Sequence, residues 1–416
     1  MRYGRGSGVP YLPALDGFRG YAILAVVVLH VLGASGVLAA QRGTGLGVAV
    51  WGLLGNSIDA FVIISGFVLF LPTVVRRGDF GSVADYARAR AARLYPAYWA
   101  SLALALAVVA FVPLDPSIAL PSPFSVAANV TGLHNPARLI EPGVASGFGT
   151  NGPLWLISVL VGFYLVLPLV ARAYYRHPLR GLAVSAGIAL VWKEAALHAS
   201  SDLVAPAARH LPDAILRLAV TDQLPGWAFS FALGMTAAWW YVRARERERP
   251  ELIARRALPV AVAAAPLYVL ASYLYGRSAD DATPLVGGAV ARSDPLLVLA
   301  GSATRATLIV AVALGPVWLT RPFVTRAASW LAERSLGLYL AHGLVITVVA
   351  GALGVPRGGS PTALAAWVAI VIPASLALAH LSHRYVERPA VAWARGRSRG
   401  AAPARPDRLA RAVGAS

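Results

Sequence analysis

The sequence predicts an all-α polytopic membrane bundle of about ten transmembrane helices, with both termini in the cytoplasm. Three observations carry the prediction. Of 416 residues, 57% are hydrophobic and only 13% charged, against about 25% charged in an ordinary soluble domain. Apolar runs long enough to cross a bilayer recur along the chain. Basic residues collect in alternate connections between those runs, as they do on the cytoplasmic side of membrane proteins.

The spans read in order as 21–40, 56–75, 94–112, 153–171, 181–198, 226–242, 257–274, 303–319, 335–354 and 363–382. The first, YAILAVVVLHVLGASGVLAA, is too long for a signal sequence and has a histidine at its middle, so it is read as a retained span. The N-terminus, 76–93, 172–180, 243–256, 321–334 and 384–416 together hold 28 of the 37 Lys and Arg residues. That asymmetry puts these segments inside, and an odd number of spans would break it. The longest outer connection, 112–152, is rich in Pro and Gly and is read either as a structured lid carrying His134, Asn135 and Glu141 or as a mobile loop. The connections 200–225 and 276–302 add polar surface on the same side. Residues 1–390 form one transmembrane domain; residues 391–416, rich in Arg, Ala and Pro, are expected to be a disordered cytoplasmic tail.

Composition excludes several classes. There is no cysteine, so disulfide scaffolds and thiolate metal sites are out. The net charge of +18 is almost wholly arginine in short gaps between apolar runs, which suits membrane topology and anionic lipid rather than nucleic acid. The partners expected are therefore the lipid bilayer and small molecules, and the location a multi-pass position in the plasma membrane.

Chemistry is sought at ionisable residues within spans, which are costly and mark sites by default. Arg19 and His30 are eleven positions apart, hence on nearly one helical face and about 16 Å apart along the axis. With Arg19 at the inner surface, His30 lies near the bilayer midplane, either as a general base for a hydroxyl or as a hydrogen-bonding partner of another helix. Asp59, in the outer half of the second span, either orients and charge-stabilises His30 or sits among the outer headgroups. Ser65 beside Gly66 is read as close packing rather than as a nucleophile. Arg90 and Arg93, three apart at the inner end of the third span, suit phosphate oxygens and equally suit topology. Tyr339 and His342 share a face of the ninth span, lining an interior cavity or joining two helices. His380, His383 and Glu387 form a stripe read as a polar helix end paired to arginines rather than a metal site.

These elements together resemble the acyltransferase family 3 of integral membrane O-acyltransferases. LPALDGFRGYAILAVVVLH supplies Asp16, Gly17, Arg19, Gly20 and His30 in the family's opening pattern. IDAFVIISGF, RARAARLYPAYW, SLGLYLAHGLVI and YVERP follow in the family's chain order and cover nearly the whole chain. The resemblance implies transfer of an acyl group from acyl-CoA, acetyl-CoA being the expected co-substrate, with no metal. The acceptor would be a hydroxyl of a sugar, glycolipid, cell-envelope polymer or glycosylated natural product. It implies a catalytic group of His30, Arg19 and Asp59, and donor binding by Arg90, Arg93, Tyr339 and His342. One departure stands out: Leu160 and Val161 occupy the places of a glutamate pair in the fourth span of many members. The rival class is a transporter or flippase without covalent chemistry, disfavoured because no repeated half is visible.

Overall fold

A computed structural model describes residues 12–114, 118–141, 143–198, 213–280 and 294–400. Ten long helices form the bundle, one for each predicted span: α1 (Pro13–Ala34), α2 (Ser57–Val75), α3 (Val83–Phe111), α4 (Trp155–Arg176), α5 (Pro178–Leu197), α6 (Ala228–Arg247), α7 (Pro250–Asp280), α8 (Pro295–Leu314), α9 (Arg326–Gly351) and α10 (Pro361–Ser382). Among the described residues no strand is formed. Among the described residues eight segments are long and apolar enough to cross a membrane; α5 and α6 fall outside that group. Both carry charges near their ends, Lys193 and Glu194 in α5 and Arg243 to Arg247 in α6. The chain is an all-α, multi-pass membrane bundle.

Helix starts follow local chemistry more closely than hydropathy does. Proline opens α1, α5, α8 and α10, where its missing N–H costs nothing. Ser82, Asp294, Thr325 and Ser360 cap α3, α8, α9 and α10 by accepting a backbone N–H with the side chain. These signals set α1 eight residues earlier than the predicted span, so Asp16 and Arg19 lie within the helix. The predicted span also ran on to residue 40, whereas α1 stops at Ala34; Gly36, with φ of 84°, breaks it before a short helical turn, Val37–Ala40. A further helix, Gly45–Leu54, was absent from the predicted spans; it lies against α7, where Gly52 meets the Ser272 carbonyl. The tail expected to be disordered from residue 391 continues instead as helix Arg388–Gly400, in keeping with the helix propensity of Ala and Arg. Residues 401–416 lie outside the described residues, as do 199–212 and 281–293 of the two shorter outer connections.

Small residues set the closest approaches. Gly66 of α2 faces the Phe231 carbonyl of α6, and Gly234 of α6 faces the Ile63 carbonyl of α2. Gly20 of α1 would put a Cβ 2.9 Å from the Ala332 nitrogen of α9. Such contacts let helices join in lipid, where hydrophobic drive between them is absent. The outer connection after α3 is structured, with helices Pro123–Thr131 and His134–Arg138. His134 is buried and its ring hydrogen-bonds the Leu154 carbonyl at 3.1 Å; the Asn135 side chain donates to Trp155 O and Asp222 O. Burial lowers His134 to about 4, so it is neutral at physiological pH. The lid reading of this connection is the one the structure takes.

Candidate active site

The α1–α9 contact brings two histidine rings together in the core. The His30 Nδ1–H donates to the Val26 carbonyl at 2.8 Å, one turn back on its own helix. The His342 Nδ1–H is shared between the Tyr339 and Leu338 carbonyls at 2.8 and 3.2 Å. A carbonyl can only accept, so both rings hold a proton on Nδ1, and in the neutral imidazole the lone pair is then on Nε2. The ring centroids are 5.2 Å apart and the planes cross at 70°. His342 is fully buried, and its Nε2 has no partner among the described residues.

His30 forms part of the wall of a cavity of about 670 Å³, within the usual range for small-molecule sites. Its other walls come from the inner faces of the outer lid (Arg138, Ser146, Gly149), from Trp155 and Trp227, from Asp222, and from Tyr339, Gly343 and Thr347 of α9. The Tyr339 hydroxyl donates to the Pro153 carbonyl, tying α9 to the start of α4. The Asn151 side chain donates to Leu340 O at 2.7 Å and strengthens the same junction. Next to it, Gly147 and Phe148 both adopt left-handed backbone with φ of 55° and 58°, an uncommon conformation for a phenylalanine. The cavity thus opens among the lid elements, on the face predicted to be outside.

A second group gathers at the other end of α1. Arg19 pairs with Asp16 at 3.0 Å and reaches across to donate to the Ala332 carbonyl of α9 at 3.3 Å. Arg93 pairs with the buried Glu387 at 2.7 Å. Arg19 and Arg90 both add positive potential at Arg93, so three arginines from α1 and α3 converge near the base of α10. The stripe, which runs from α10 into the turn His383–Glu387 that follows it, is paired to arginines at its two ends as read: Arg334 donates to His380 at 3.2 Å and Arg93 to Glu387 at 2.7 Å, while His383 lies 3.8 Å from Glu387. Among the described residues no group of three His, Cys, Asp or Glu side chains is placed to hold a metal ion.

The sequence-predicted residues therefore fall into three places. His30 and Tyr339 line the cavity, with the buried His342 ring packed against both; Arg19, Arg90 and Arg93 meet at the other end of α1. Tyr339 and His342, grouped with the arginines for donor binding, lie with His30 instead, because three residues of helix carry them along the same face toward α1. Asp59 joins neither group. It is 1% exposed and bound to Arg305 of α8 at 2.8 Å, and no hydrogen bond or ion pair joins it to His30 among the described residues. Arg305 also stands 5.6 Å from the centroid of the Tyr268 ring. Arg305 was missed, although an arginine inside an apolar span was a readable signal, and Asp59 the natural partner for it. Asp222 and Arg138 were missed because nothing local marks them; they meet only through the folding of the outer segments. Leu160 and Val161 are buried in the apolar core of α4, so aliphatic packing fills the places of the glutamate pair.

Comparison with known proteins places these features in a family. The family model described as an acyltransferase domain matches residues 12–383. The chain is 32% identical over 184 residues to the acyltransferase MdmB of Streptomyces mycarofaciens, covering 43% of this chain and 44% of that one. It is 24% identical over 402 residues to the peptidoglycan O-acetyltransferase OatA of Listeria monocytogenes, covering 91% of this chain and 56% of that one. The chain thus spans about half the length of the curated relatives it matches. No solved structure matches it.

Proposed function

We propose that this chain, which belongs to the acyltransferase domain family, transfers an acyl group from acyl-CoA at the cytoplasmic face to an acceptor hydroxyl that enters the cavity from outside. Acetyl-CoA is the expected donor. The acceptor class is a sugar hydroxyl on a glycolipid, cell-envelope polymer or glycosylated natural product, in keeping with a relative named as a peptidoglycan O-acetyltransferase. The plasma membrane, with both termini inside, is the expected setting.

One observation carries the reading. His30 holds its proton on Nδ1 against Val26 O and so keeps a free Nε2 lone pair in a residue that lines the cavity. In the proposed step, Nε2 takes the proton of the acceptor hydroxyl as its oxygen attacks the thioester carbonyl. The tetrahedral intermediate collapses, the carbon–sulfur bond breaks, and the departing thiolate takes the proton back from the imidazolium. No covalent enzyme intermediate is needed. Arg19, Arg90 and Arg93 supply fixed positive charge at the inner end, where the phosphates of coenzyme A would lie. Their distance from His30, about 16 Å along α1 from Arg19, leaves room for an extended donor reaching toward the bilayer centre.

The test is single-turnover transfer from labelled acetyl-CoA by the purified protein, alongside a donor-binding assay. His30→Gln keeps size and hydrogen bonding but takes no proton, and should lower transfer by roughly a hundred- to ten-thousand-fold while donor affinity is kept. Arg90→Ala with Arg93→Ala should weaken donor binding instead. A His30→Gln protein that transfers at the wild-type rate would remove the histidine from the mechanism.

A further inference from the structure

The cavity wall facing the lid has an unusual composition for a membrane protein interior. Trp155 and Trp227 stand with ring centroids 5.0 Å apart and planes inclined by 31°. Beside them are a carboxylate, Asp222, and a guanidinium, Arg138, both in the lining. Asp222 is 6% exposed. Its backbone carbonyl accepts from Asn135, but its carboxylate receives no hydrogen bond among the described residues. Arg138 acts on Asp222 through charge alone, and its guanidinium likewise makes no hydrogen bond there. Lys193 flanks the group, with its ammonium 5.2 Å from the Trp227 ring centroid. Burial pushes Asp222 up to about 7 against the pull of Arg138 and Lys193. Both groups line the cavity and keep hydrogen-bonding capacity there that a polar ligand can use.

We propose that Trp155, Trp227, Arg138 and Asp222 form the subsite that holds the acceptor as a hydroxyl-rich pyranose ring. This rests on the acyltransferase reading for its place in the reaction, and on the wall chemistry for its ligand. A pyranose presents apolar C–H faces that suit indole rings. Its neighbouring hydroxyls can donate to the two oxygens of Asp222, while Arg138 donates to ring or hydroxyl oxygens. An apolar alcohol would leave both charged groups unsatisfied. A ring held on this wall occupies the same cavity as His30, so one of its remaining hydroxyls can reach the base.

The experiment separates binding from chemistry. His30→Gln protein is purified without donor and titrated with methyl glucopyranoside, methyl mannopyranoside and methyl galactopyranoside, following tryptophan fluorescence. Sorbitol and 1-octanol serve as an open-chain polyol and an apolar alcohol. At least one pyranoside should bind saturably, ten-fold or more tightly than either control. In that background Asp222→Asn, Arg138→Gln and Trp155→Phe should each weaken it ten-fold or more. With His30 restored, the same three changes should raise the acceptor KM far more than they lower kcat, with acetyl-CoA affinity unchanged. Comparing thermal midpoints identifies any variant that fails to fold, and the other two then decide. The subsite is overturned if no pyranoside saturates, if the controls bind as well, or if folded variants bind like the parent. Pyranoside binding without any acyl transfer by the wild type would instead overturn the acyltransferase reading and leave the subsite standing.

Discussion

Removing the carboxylate of Asp59 should destabilise the bundle rather than disable the chemistry. Asp59 lies in the first turn of α2 and Arg305 in the middle of α8, joined at 2.8 Å with both side chains buried. The Asp59 Oδ1 has no partner, so the pair stands on one strong contact and the ring of Tyr268. Asp59→Asn leaves the guanidinium charged and uncompensated in the bundle interior, a loss of about 3–5 kcal/mol from a fold worth roughly 5–15. At about 2 °C per kcal/mol for a chain of this size, the thermal midpoint in detergent should fall by about 6–10 °C. Replacing both partners, Asp59→Leu with Arg305→Met, removes the buried charges together and should return the midpoint to within about 2 °C of wild type. The assay is fluorescence-detected size-exclusion chromatography after heating, with acyl transfer measured on the same samples. A stable and active double variant assigns Asp59 to packing; a stable and inactive one returns it to the chemistry. Asp59→Asn as stable as wild type, or a double variant as unstable as the single one, would refute the reasoning.

Three further outcomes are expected. Gly234→Ala should cost at least the 1–3 kcal/mol typical of overpacking, because its Cβ would meet the Ile63 carbonyl and rigid backbone cannot give way; a midpoint unchanged from wild type would contradict the close α2–α6 approach. In this chain without cysteine, Arg42→Cys should react with an impermeant thiol reagent in intact cells and Arg247→Cys only after lysis; the reverse would overturn the orientation. Between about pH 4 and 6.5, buried His134 favours folding more as pH rises, since its pKa is about 4 folded against 6.5 unfolded, whereas Asp222, about 7 folded against 3.8 unfolded, favours it less. The two slopes oppose each other in the wild type, so Asp222→Asn should leave a midpoint that climbs with pH across this window, and a profile as flat as wild type would contradict the raised Asp222.

The helices were legible because span length and basic asymmetry are strong, additive signals. Their ends were not, because caps and prolines act through single residues that hydropathy averages away: Pro13 sets the start of α1, Gly36 its end, and Ser82 the start of α3. His30 and Arg19 were readable as a pair because one helix carries both, and helical geometry fixes their separation. The setting of Asp59 was not legible, for the opposite reason. Its partner Arg305 is 246 residues away in sequence, and no local periodicity links α2 to α8. Asp222 and Arg138 belong to the same category, contributed by segments between spans.

That difference bears on how the two halves of the reaction would be specified. The inner half, which would face the donor in the proposed reaction, rests on short motifs at helix ends, where Arg19, Arg90 and Arg93 stand at fixed offsets from apolar runs and can therefore be read from sequence. The outer, acceptor-facing half is assembled from the lid, the start of α4 and the approach to α6, which meet only in the folded chain. A donor common to many reactions can be gripped by an arrangement that tolerates no variation, because its phosphates never change. An acceptor that differs between proteins needs walls on connecting segments, where side chains can be exchanged without disturbing helix packing. On that logic, substitutions at Trp155, Arg138 or Asp222 should change which hydroxyl is acylated while His30 chemistry persists. Exchange of the lid segment 113–151 for that of a relative with another acceptor should move specificity and leave donor affinity in place. Lost donor affinity in a folded lid chimera would show that the two halves are not separable in this way.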